Sequence, residues 1–266
     1  MQKINEILNS DIKKLDRCKY CGKEYIIKEF KVFEGKPEEK ITRLEVPACN
    51  CIELQEQRRK SAAEEKEKKE RLDKLFENSL ITPYFKKKTF ENLQKKAVEY
   101  GNEKELKRLY QYAQNFKKNE MPGIFLTGKP GVGKTSMLAA VSNELIQRGF
   151  NVLFVTFSAL MERFLKYSAE HNGDIYPLLM WLVKFDFVVI DDIGRENYTD
   201  RRKEIAYRII DTLLNYEIPT GFTANPEMLD KLRKIEDWGA VLDRLKDICG
   251  LAINFKGESV RGRKWQ

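Results

Sequence analysis

An α/β domain built on a parallel sheet with helices on both faces, preceded by a small cysteine-rich unit and a charged helical linker, is what this 266-residue sequence predicts. Three observations carry that expectation. Short, almost wholly apolar runs such as 124–126, 152–157 and 187–190 alternate with stretches of helical periodicity, as parallel strands buried on both faces do. A glycine-rich segment, GKPGVGKT at 128–135, lies between the first of those runs and a helix-forming stretch at 136–148. Four cysteines fall in two close pairs, Cys18/Cys21 and Cys49/Cys51, near the start of the chain.

Composition bounds the rest. The apolar fraction of 42% suffices for one large core and a smaller unit. Lysine and arginine exceed aspartate and glutamate by 49 to 41, a net charge of +8 that favours a polyanionic partner such as nucleic acid. No apolar run approaches the roughly 20 residues of a membrane span, and the first 14 residues have no apolar core of the secretory kind. A cytoplasmic protein without membrane contact is expected. In that compartment five cysteines read as thiols or metal ligands rather than disulfides.

In chain order, the cysteine pairs come first. Between them lie two strand-like runs, 25–33 and 41–46, around the turn-like EGKPEE. A hairpin whose base joins a CxxC to a CxC would place Cys18, Cys21, Cys49 and Cys51 around a tetrahedral Zn²⁺. A unit this small buries little apolar surface, so a bound metal would explain how it folds. From 52 to about 74 most residues are Glu, Lys, Arg or Gln, which reads as an exposed helix joining two domains. The expected boundaries are 1–52 for the zinc unit, 53–82 for the linker and 83–266 for the large domain.

Within the large domain, Leu106, Leu109, Tyr110, Ala113 and Phe116 mark one helical face. The phosphate-loop pattern G-x-x-x-x-G-K-[ST] is met without substitution. Gly128, Gly131 and Gly133 allow the backbone to curl round phosphate oxygens. Pro130, Val132 and Ser136 complete the cradle, and the new helix points unpaired N–H groups at the anion. Lys134 is placed for the β- and γ-phosphates and Thr135 for Mg²⁺. A strand at 152–157 leads into a helix capped at Ser158, with Leu160, Met161, Phe164 and Leu165 inward. His171 lies in a polar loop and receives no role. Trp181, Leu182 and Cys249 read as core.

The run FVVIDD ends a strand in two carboxylates, at the sheet end that faces a ligand in such folds. Asp191 is expected near the Mg²⁺ and Asp192 near the attacking water. PTGFTAN ends a fourth strand at Asn225, whose amide suits that water or the γ-phosphate. Arg244 reads either as an arginine finger or as a surface salt bridge; Arg261 reads as a group reaching back to the phosphates, and the basic tail equally as touching DNA or nothing.

In this order and spacing GKPGVGKT, FVVIDDIG, PTGFTANP, VLDRLKD and SVRGR resemble the AAA+ ATPases. More closely they are similar to replicative helicase loaders of the DnaC/DnaI type and to the related IstB transposition ATPases, over roughly 89–263. The resemblance implies ATP and Mg²⁺ as ligands, Asn225 as sensor 1, Arg261 as sensor 2, and Arg244 as a finger acting in trans on the next subunit of a homo-oligomer. It also implies a zinc region that grips a DnaB-like hexameric helicase, and loading onto single-stranded DNA. Two departures stand out. Many AAA+ proteins carry Glu at the position of Asp192, so slow turnover is expected here. The chain runs only five residues past Arg261, leaving no room for the helical lid of many relatives. Two alternatives stay open: an IstB-like ATPase acting on duplex DNA, and a nucleotide-switched adaptor with little hydrolysis. A small-molecule kinase is disfavoured, for want of an acceptor pocket and a mobile lid.

Overall fold

A computed structural model of the chain describes residues 17, 18, 20–23, 25–32, 40–47, 49–194, 199–235 and 238–257. The expected EGKPEE turn and Arg261 lie outside the described residues. The chain divides into two compact units, Met1–Lys69 and Glu70–Gln266.

In the first unit, β1 (Tyr25–Val32) pairs antiparallel with β2 (Lys40–Pro47), in register from Tyr25↔Pro47 to Val32↔Lys40. This register brings the backbone after Cys21 next to the backbone before Cys49. The helix α1 (Cys51–Asn78) starts at the fourth cysteine and runs on past the division between units. Its alternating charges stay in water, as the sequence predicts for a solvated helix.

The second unit opens with the last turns of α1, then α2 (Pro83–Lys86), α3 (Phe90–Glu99) and α4 (Glu103–Asn115). Thr89 and Asn92 form a reciprocal capping box on α3, which fixes where that helix begins. There follow β3 (Gly123–Gly128), α5 (Lys134–Gln147), β4 (Val152–Thr156), α6 (Phe157–Glu170), α7 (Tyr176–Leu182) and β5 (Phe187–Ile193). The remaining elements are α8 (Asp200–Asn215), β6 (Thr220–Ala224), α9 (Pro226–Arg233), α10 (Trp238–Ile248) and β7 (Cys249–Phe255). The five strands from β3 to β7 form one parallel sheet in the order β4-β5-β6-β3-β7. This is the covered parallel sheet that the apolar runs predict.

Alternate residues of β5 feed two separate cores. Phe187 and Val189 of β5 join Leu109, Phe116 and Leu138 on one face. Val188 and Ile190 join Phe157, Phe164, Ile209 and Trp238 on the other. The period-2 alternation of a strand thus builds both layers from one apolar run.

Two local expectations are corrected. Tyr112, not Tyr110, is the inward tyrosine of α4: Tyr112 is 5% exposed and Tyr110 43%. The Tyr112 hydroxyl donates to the Pro122 carbonyl at 2.8 Å, so its polar tip is satisfied inside. Tyr110 instead sets its ring edge against Phe90. The N-cap of α6 is Thr156 rather than Ser158, its hydroxyl accepting from the Ala159 N–H at 3.2 Å. An earlier helix start lets Phe157 turn into the core instead of ending the strand.

Candidate nucleotide-binding site

The helix α5 begins at Lys134, directly after the glycine-rich loop. Its N-cap, Gly133, has φ 98°, a left-handed conformation that glycine adopts without strain. Gly128 needs its missing side chain even more. A Cβ there would lie 2.6 Å from the Phe255 carbonyl oxygen of the neighbouring strand. The loop therefore sits tightly on the sheet end and leaves the α5 N-terminus open toward a cavity of about 270 Å³.

That cavity collects most of the expected residues. Pro130, Gly131, Val132, Gly133, Lys134, Thr135 and Ser136 line one wall, and Asp191, Asp192 and Asn225 another. Tyr84, Phe85 and Tyr100 line the same cavity. Strand order explains the convergence. Because β6 lies between β3 and β5, the ends of the loop strand, the acidic strand and the Asn225 strand stand side by side. Ligand crevices of doubly wound sheets form at such strand ends.

The polar contacts are specific. The Lys134 ammonium donates to the carbonyls of Gly128 at 2.7 Å and Lys129 at 3.0 Å, and to Asn225 Oδ1 at 2.9 Å. The Thr135 hydroxyl lies 3.0 and 3.1 Å from the two Asp191 carboxylate oxygens. Burial pushes the Asp191 carboxyl above the usual range, and the Asp192 charge adds to this. Hydrogen bonds from Thr223 and Thr135 and the nearby Lys134 charge work the other way. A buried acid beside a hydroxyl is a hard-oxygen pair that suits a small divalent cation. Asp192 has φ 63°, left-handed for a non-glycine residue, directly after the buried acid.

Thr223 is a site residue that the sequence reading missed. It is 2% exposed, lines the same cavity, and its hydroxyl lies 2.6 Å from Asp191 Oδ1. The available signal was its spacing of two from Asn225, which continues the extended backbone just past β6, so that both side chains turn to the same side.

Arg244 lies elsewhere within its own chain. On α10 its Nε donates to Asp211 Oδ1 of α8 at 2.8 Å, and its guanidinium stacks over Tyr207 at 4.3 Å. Within this chain the arginine forms the surface ion pair that was the plainer of its two readings.

The first unit holds a second cluster. The sulfurs of Cys18, Cys21, Cys49 and Cys51 all lie within 4.8 Å of one another. Four thiolates on a tetrahedral zinc ion stand about 3.8 Å apart, so the set fits such an ion. Just after the first pair, the Gly22 N–H donates back to the Cys18 carbonyl at 2.8 Å in a tight turn. Backbone N–H groups of Tyr20 and Cys21 hold the Cys18 thiol down to about 7. Contact with Cys21 and Cys49 pushes the Cys51 thiol up to about 12. Four thiolates so close repel one another unless a cation joins them.

Fold and site together define a phosphate-loop ATP-binding protein of the AAA+ class. The chain belongs to the family of IstB-like ATP binding proteins, whose family model matches residues 57–266. It is 30% identical over 205 residues to the replicative helicase loader DnaC of Escherichia coli (strain K12), a match covering 77% of this chain and 82% of that protein. The fold is similar to the crystal structure of DnaI (TM-score 0.51, 21% identity, covering 68% of this chain and 95% of that one). It is also similar to AMPPCP-bound DnaA from Aquifex aeolicus (TM-score 0.52, 20% identity, covering 66% and 51%). No helix among the described residues is long and apolar enough to cross a membrane.

Proposed function

We propose that this protein is an ATP-dependent loader of a DnaB-like replicative helicase onto single-stranded DNA, acting in the cytoplasm as a homo-oligomer. The observation that carries the reading is the likeness to a helicase loader over 82% of that protein's length. The convergence of Lys134, Thr135, Asp191, Asp192 and Asn225 on one cavity supports it.

In this reading the loop amides and the α5 N-terminus bind the phosphates. Lys134 exchanges its carbonyl and Asn225 partners for β- and γ-phosphate oxygens. Thr135 and Asp191 hold Mg²⁺, which when bound neutralises charge building on those oxygens. Asp192 orients or deprotonates the attacking water, and Asn225 hydrogen-bonds that water or the γ-phosphate. Arg244 leaves Asp211 to serve the nucleotide of the next subunit, a contribution on the order of 10³ to 10⁵ in rate. Arg261, outside the described residues, is assigned the sensor 2 role. Residues 1–52, with Zn²⁺ on the four cysteines, dock on the helicase; 53–82 form the linker and 83–266 the ATPase.

The test is size-exclusion chromatography of the full chain with its host's replicative helicase and ATP. A stable complex, weakened by Cys18→Ser, with ATP turnover raised by single-stranded DNA is expected. The name of the matching family favours one second reading, an IstB-like ATPase acting on duplex DNA. No helicase complex, together with ATP-dependent coating of duplex DNA, would establish that reading instead.

A further inference from the structure

The β5–β6 pairing breaks at the site. Ile190 pairs with Phe222 and Ile193 with Ala224, so Asp191 and Asp192 stand opposite the single residue Thr223. Two residues against one is the count of a β-bulge, a device that re-aims side chains beside active sites. At this break Thr223 receives the amide of the second acid: the Asp192 N–H donates to the Thr223 hydroxyl at 2.8 Å. A hydroxyl has a single proton. Since its oxygen is the acceptor for that amide, the proton goes to Asp191 Oδ1 at 2.6 Å. One buried hydroxyl therefore joins the backbone of one acid to the carboxylate of the other. It holds Asp192 in its left-handed conformation and ties down Asp191 Oδ1, leaving both carboxylate oxygens within 3.1 Å of the Thr135 hydroxyl.

We infer that Thr223 is a positioning residue of the nucleotide site: its hydroxyl clasps the bulge so that Asp191 presents its carboxylate to the cation and Asp192 faces the reacting water. The inference rests on the ATP·Mg²⁺ reading above. Outer groups that orient metal-binding carboxylates contribute about 10- to 100-fold in metal affinity or activity. Thr223→Val keeps the side-chain shape and removes both hydrogen bonds, whereas Thr223→Ser keeps the hydroxyl.

Binding of a fluorescent ATP analogue by the full chain is measured with and without Mg²⁺, beside ATP turnover across a Mg²⁺ titration. For Thr223→Val, Mg²⁺-free binding stays within about twofold of wild type, while the Mg²⁺ needed for half-maximal turnover rises and kcat falls by about 10- to 100-fold. Thr223→Ser restores most of both. If the valine variant does not fold, Thr223→Ala is compared with Thr223→Ser by the same readings. Wild-type Mg²⁺ dependence and kcat in the variant lacking the hydroxyl, or equal losses in the serine variant, overturn the inference while leaving the ATPase reading intact. A wild-type chain that binds no ATP overturns both. A wild-type chain that binds ATP·Mg²⁺ without turnover ends the hydrolytic reading alone; Mg²⁺-dependent binding that Thr223→Val leaves unchanged then overturns the role of Thr223.

Discussion

The cysteine-rich unit up to Lys69 and the nucleotide-binding unit from Glu70 are held together by opposite resources. Among the described side chains of the first, Cys18 alone is buried, and four sulfurs within 4.8 Å of one another form its centre. The second carries two apolar cores, one on each face of a five-stranded parallel sheet. A unit of this size commonly depends on a cross-link or a metal, whereas a two-layer domain spreads its stability over dozens of contacts. Each unit therefore has its own point of failure. With Zn²⁺ on the four cysteines as proposed, in the first it is ligand chemistry; in the second it is packing, except at the candidate nucleotide site, where buried polar groups are held against their preference for water.

Three measurements press on that contrast. Zinc chelation, or Cys18→Ser, is expected to unfold the first unit completely, since structural zinc contributes on the order of 10 kcal/mol in small domains. Circular dichroism and heat denaturation read this, with the melting of the nucleotide-binding unit unmoved. Coupled loss of both units would erase the distinction. Leu138, fully buried under the sheet, tests the other resource. Leu138→Ala should destabilise the second unit by about 2–5 kcal/mol in urea titration, with zinc content unchanged.

The smallest effect concerns the site itself. Because burial raises the Asp191 carboxyl in the folded state, the protonated form favours folding. The associated stability is present at low pH and is lost as pH rises through the raised value. Without nucleotide or Mg²⁺, Asp191→Asn should therefore melt higher than wild type at neutral pH and lose part of the pH dependence. An equal or lower melting temperature at neutral pH would mean that the carboxylate is not held at a cost.

Much of the fold was legible because its causes are local. The apolar runs name their own strands, and the glycine-rich loop marks the start of the helix that follows it. The loop residues and the two acids of the candidate site were legible for the same reason. Tyr112 was not, because a helical wheel gives two tyrosines similar claims on the core. Only the distant Pro122 carbonyl and Phe187 ring favour one of them. Arg244 kept two readings in the sequence, and its Asp211 partner lies 33 residues away.

By itself the sequence determined that this chain carries a phosphate-loop pattern at 128–135, that the strands of its large domain are buried on both faces, and that four cysteines stand in two pairs fit for one ion. Each of these depends on neighbours a few positions apart, through turn geometry, side-chain period and ligand type. Only the tertiary structure decided that β6 lies between β3 and β5. That order sets Asn225 against Lys134 and puts the Thr223 hydroxyl between two acids more than 30 residues away. Strand order and a bulge arise from packing and hydrogen-bond satisfaction across the whole sheet, which no local stretch of the chain contains.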